Sequence, residues 1–135
     1  MNIVRNILAV ILGTLIGSLI NGAIIAIGPS IIPTPAGYDG STTEGFVKTA
    51  HLLQPINFIA PFFAHALGTF VGSLVSMFIA ASHRLVIAVI IGVLFLAGGI
   101  AVCFMVPIPI WFIIVDLLLA YIPMAFLGYK LSGKE

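Results

Sequence analysis

The sequence predicts an all-α integral membrane protein: a four-transmembrane-helix bundle forming a single membrane domain over residues 1–135. Three observations predict it. Of the 135 residues, 61% are hydrophobic and only 7% charged, where a soluble domain carries about 25% charged residues. Mean hydropathy is +1.31, which is more apolar side chain than a soluble chain this short has interior to hold. The apolar residues also fall into four runs, at 4–27, 56–81, 85–106 and 108–129, each near the 20 or so residues that cross a bilayer core.

The first run follows Arg5 and has the look of a secretory leader. It is too long for a leader's apolar core, and the residues near Ala26 make a poor small-x-small cleavage site, so it reads as a retained span. Residues 28–55 form the one sizeable loop. It opens with GPSIIPTPAGYDG, rich in turn formers. Ser41 and Glu44 then stand at capping-box spacing, and Phe46, Val47, Ala50 and Leu53 follow at helical spacing. This predicts a short amphipathic helix at the outer surface, either an anchor or a lid over the bundle. Residues 82–84 join spans two and three, and MVPIP (105–109) joins three and four. Such short joins make neighbouring spans antiparallel. Pro61 and Pro123 leave the carbonyls of Asn57 and Leu119 without helical donors, so kinks are expected there.

Charge orients the bundle. Arg5, Arg84, Lys130 and Lys134 fall on one side of four spans; Lys48 falls on the other, with Asp39 and Glu44. The positive-inside rule then places both termini in the cytoplasm. Trp111 falls near the outer interface and Tyr129 near the inner one.

Spans one and two share a motif. LGTLIGSL (12–19) and LGTFVGSL (67–74) agree at six of eight positions, and the same offset of 55 residues pairs Ala9 with Ala64 and Ala26 with Ala81. Because the spans run in opposite directions, the repeat is inverted, as in many transporter folds. Gly13 and Gly17, and again Gly68 and Gly72, form GxxxG pairs that let helix backbones approach closely. The motif serves packing equally well, within one chain or between two. Four spans are few for a complete permeation path, so a homodimer is expected.

Asp116 is the one acid inside an apolar run. A charge at the centre of a spanning helix costs roughly 3 kcal/mol on insertion scales, so it needs a partner, a proton or a wet cavity. Asp116 and His65 each lie about nine residues below the outer surface, roughly 13 Å down. Asn21 and Ser18, counted back from the outer end of span one, reach the same zone, and Gly98 and Gly99 leave room beside it. A polar cluster of Asp116, His65, Asn21, Ser18 and Thr69 is therefore expected. It is either a proton-handling unit or a hydrogen-bonded device that fixes helix register.

Other chemistries are poorly served. A net charge of +1 offers no stripe for nucleic acid. The lone Cys103 lies inside an apolar run and reads as a structural thiol. His51, His65 and His83 lack metal-ligand spacing, and no phosphate loop, nucleophile elbow or nucleotide fingerprint occurs. No catalytic residue, metal or cofactor is assigned.

Three segments together, PTPAGYD (33–39), FFAHALGTFVGSLV (62–75) and PIPIWFIIVDLLLAYIPMAFLGYKL (107–131), resemble a family of small, functionally uncharacterised four-span bacterial inner-membrane proteins. The resemblance implies a bacterial cytoplasmic membrane and brings no activity. The leading expectation is a small transporter- or channel-like protein with an Asp/His site for a small molecule or ion. The alternatives are an assembly protein using its small-residue faces and a membrane enzyme acting on a lipid-soluble substrate from a lipid-open groove.

Overall fold

The computed structural model describes residues 1–134, all-helical in its regular structure. Four segments are long and apolar enough to cross a membrane: Asn2–Ile31, Pro55–Ile79, Arg84–Met105 and Ile110–Leu131. Helix is the conformation that satisfies every backbone group within such a segment.

Helix α1 (Asn2–Ile31) runs past the predicted end at residue 27. Pro29 lies so close to the C-terminus that its missing N–H removes a single late bond, and the chain turns extended only at Ile32. The loop then carries α2 (Thr43–Thr49) and a 3-10 turn over Ala50–Leu52. The cap of α2 differs from expectation. Thr42, not Ser41, accepts the Gly45 N–H, at 2.9 Å. Ser41 is instead bound to Asp39, through its N–H at 2.9 Å and its hydroxyl at 2.6 Å.

Span two opens with a 3-10 turn, Pro55–Phe58, before α3 (Ile59–Ile79). Pro61 is thus the third residue of α3, where N–H groups have no intrahelical acceptor anyway. It marks the change from 3-10 to α geometry and leaves the helix body uninterrupted. Helix α4 (Arg84–Met105) follows a turn in which His83 takes φ +52°, a left-handed conformation. Asn6 pins that turn. Its Oδ1 accepts the N–H groups of Ala81 and Ser82, at 3.0 and 3.2 Å, and its Nδ2 donates to Ser82 Oγ at 3.0 Å. Arg5 donates twice to the Ile79 carbonyl at the end of α3, at 2.9 and 3.1 Å.

Span four is two helices, α5 (Ile110–Leu119) and α6 (Ile122–Leu131), with Tyr121 between them at φ −114°, ψ −82°. The kink expected from Pro123 is a full break two residues earlier. Proline has no N–H for the carbonyl four residues back and its ring crowds that carbonyl, here Leu119, so the disturbance lies N-terminal to the ring.

Helix α3 is the centre of the bundle. Helix α1 lies along one side of it and α6 along another; α4 rests on α6 and α3 and has little contact with α1. The glycine motifs make the α1–α3 contact within one chain. A Cβ on Gly72 would sit 2.7 Å from the Gly13 carbonyl oxygen, and one on Gly68 would sit 2.8 Å from that of Gly17. The two faces meet antiparallel, so the 55-residue offset carries the Gly13–Gly72 contact onto Gly68–Gly17. Ser76 reinforces it by donating to the Ala9 carbonyl at 2.8 Å. Gly13, Gly17, Gly68 and Gly72 are all buried in this contact.

Candidate functional site

Asp116 is 4% exposed and Tyr121 only 2%. His65 Nδ1 lies 2.8 Å from Asp116 Oδ1 and 2.9 Å from Oδ2. Tyr121 donates its hydroxyl to Oδ2 at 2.9 Å. The rings of His65 and Tyr121 stack, centroids 5.7 Å apart and tilted by 25°. A carboxylate only accepts hydrogen bonds, and this one has a donor on its second oxygen and an imidazole nitrogen facing both. The three side chains come from α3, α5 and the break after α5. The break itself supplies the third member, since it turns Tyr121 back towards Asp116.

Space for Tyr121 comes from α4. A Cβ on Gly99 would collide with the tyrosine hydroxyl. A β-carbon there would expel the ring from its place beside Asp116.

One face of this triad opens on a cavity of about 290 Å3. Thr14, Ser18 and Asn21 of α1 form one wall, Leu94, Phe95, Gly98, Gly99 and Val102 of α4 the other, and His65 and Tyr121 the base. Asp116 stands behind His65 and Tyr121 and does not itself line it. With Nδ1 against Asp116, Nε2 is the ring nitrogen that His65 can offer to the cavity. Two polar atoms of the α1 wall, Thr14 Oγ1 and Asn21 Oδ1, are buried without a hydrogen-bond partner among the described residues. Such orphans are costly unless something supplies the missing bond. Ser18 and Gly98 are exposed at the mouth.

Of the five residues expected to cluster, Asp116 and His65 are in contact, and Ser18 and Asn21 line the cavity before them. Thr69 stands apart. It is fully buried, and its hydroxyl donates to the His65 carbonyl one turn back at 2.8 Å. It holds the helix beneath His65 and contributes nothing to the cavity wall. Tyr121 and Thr14 belong to the site and were not in the expected cluster. The loop contributes no lining residue to this cavity. It is tied to the 3-10 turn that opens span two, where Asn57 donates to the Pro33 carbonyl at 3.2 Å.

Among the described residues no group of three His, Cys, Asp or Glu could hold a metal ion. The arrangement can hold and exchange a proton and can offer hydrogen bonds to a small guest. No protein-family model matches the chain, and no curated protein or solved structure matches it.

Proposed function

We propose that the chain is a small transporter- or channel-like protein of a bacterial cytoplasmic membrane. In this reading Asp116, His65 and Tyr121 hold a proton that is exchanged as a small molecule enters the cavity. The observation that carries the reading is the place of the triad, an ion-capable pair at the base of a ligand-sized, partly polar cavity between apolar helices. Intramembrane ionisable residues are functional-site candidates by default, and a broken helix beside them is a recurrent element of transport sites. The inverted glycine repeat is consistent with the same class. The gathering of Arg5, Arg84, Lys130 and Lys134 at one end supports cytoplasmic termini.

The test is proton movement. Protein is reconstituted in vesicles loaded with a pH-sensitive dye, and a panel of neutral, anionic and cationic solutes is added in turn. At least one solute should drive a proton flux that Asp116→Asn abolishes while the variant stays folded. Identical traces for the two proteins across the panel would overturn the proposal.

A further inference from the structure

We propose that the cavity is entered sideways from the bilayer and takes an uncharged amphiphile, its polar end towards His65 and its chain along the seam between α1 and α4. The inference rests on reading the cavity as a ligand site, and it names the ligand class.

The first argument is where the opening lies. The mouth sits between α1 and α4, which have far less mutual contact than α1 and α3. Ser18 and Gly98 are exposed there, and the rim on α4 is apolar: Leu94 and Val102 are each 44% exposed. A rim of that kind faces lipid at no cost and faces water at a penalty.

The seam continues beyond the cavity. A second groove, of about 430 Å3, lies between the same two helices nearer the termini, walled by Ile7, Val10, Ile11, Val86, Ile87 and Ile90 among others. Val10 is one turn from Thr14, and Ile90 one turn from Leu94, so the grooves adjoin. A partly polar chamber adjoining a mainly apolar groove matches a head and a tail.

Charge selects the head. No Lys, Arg, Asp or Glu lines the cavity. A phosphate or carboxylate would have no cation to meet it, and a fixed cation would have only the shielded Asp116. Thr14, Ser18, Asn21 and His65 together offer donors and acceptors suited to a hydroxyl, carbonyl or amide.

A helix from a second copy is the rival occupant. The cavity is about 290 Å3 along two turns of α4, and a helix lying across its mouth would shield it from lipid and water alike, an outcome the quenching below reads directly.

The test uses the full chain in bilayers. Gly98 has open space where a Cβ would go, so Gly98→Trp in a Trp111→Phe background sets one fluorophore at the mouth. Dibrominated acyl chains should quench most of its emission, and aqueous acrylamide should quench little. Val102→Trp in the same background repeats the reading one turn away, should the first variant fold poorly. Monoolein should then raise the melting temperature of the otherwise native chain, glycerol and oleate should not, and Gly98→Trp should remove the shift. Acrylamide quenching without lipid quenching would overturn lateral entry, as would protection from both quenchers in a dimer. A response to oleate equal to that of monoolein would overturn the uncharged head. Proton movement is no part of these readouts, so a failed flux assay sinks the transport reading and leaves this result standing.

Discussion

The two copies of the repeat have met different fates. On α3, the Thr69–Ser73 face is fully buried. Helix α6 lies over it, close enough that a Cβ on Gly128 would fall 3.0 Å from Ser73 Cβ, and Ser73 donates to the Ala125 carbonyl at 2.7 Å. On α1, the equivalent Thr14 and Ser18 face a cavity, and Thr14 Oγ1 has no partner among the described residues. The glycines of both copies do the same work, in the contact the copies share. The hydroxyls beside them do not. One set is spent on structure and the other is left available, and that asymmetry, rather than the repeat itself, makes room for a site.

The comparison can be broken most severely at the shared glycines. Gly72→Leu drives a side chain into the Gly13 carbonyl and should cost about 3 kcal/mol, seen as loss of folded protein in a denaturing-detergent titration. Gly98→Ala, where a Cβ meets nothing within 4 Å, should unfold with the native chain. Next comes Tyr121→Phe. It removes a buried donor to Asp116 and should cost about 2 kcal/mol, read from the same titration. A change below about 0.5 kcal/mol, the usual size at neutral surface sites, would show that the hydroxyl does not matter to Asp116.

The copies themselves are compared by Ser73→Ala and Ser18→Ala. The first loses the bond to α6 and should cost about 1 kcal/mol, while the second should fall within the error of the measurement. Equal costs would erase the asymmetry. The smallest effect lies outside the bundle. Hydrogen bonds from the Ser41 hydroxyl and N–H hold the Asp39 carboxyl below its ordinary range. A group whose pKa is lowered by folding stabilises the fold above its unfolded value, near 3.9, and that contribution is lost as pH falls through the folded one. The protection of amides over residues 39–49, taken relative to their intrinsic exchange, should therefore fall below about pH 4, and Asp39→Asn should flatten the dependence.

Much of this was readable in advance, for identifiable reasons. Apolar run length gave the four segments to within a few residues, because hydropathy integrates over many side chains. Counting depth placed His65 beside Asp116, because a rise of about 1.5 Å per residue holds along unbroken helix. The same counting missed Tyr121. Five residues on from Asp116, a regular helix would point it about 140° away, and only the break before Pro123 turns it back. Thr69 misled for the opposite reason. Depth and type recommended it, but a threonine in a helix can spend its hydroxyl on the carbonyl one turn earlier, and α6 then seals it in. Thr14 lies inside the repeat LGTLIGSL, and nothing in that motif says which copy α6 will cover.

The order of the partners along the chain has a consequence for biosynthesis. Proteins are made from the N-terminus, so His65 emerges 51 residues ahead of Asp116. In a chain inserted span by span, the segment bearing the acid reaches the membrane when its imidazole is already there. The acid need not cross the apolar phase alone, and span four can begin pairing as it enters. Removing His65 should then be felt first as failed integration of the last span, in the nascent chain, before any mature protein exists to be assayed.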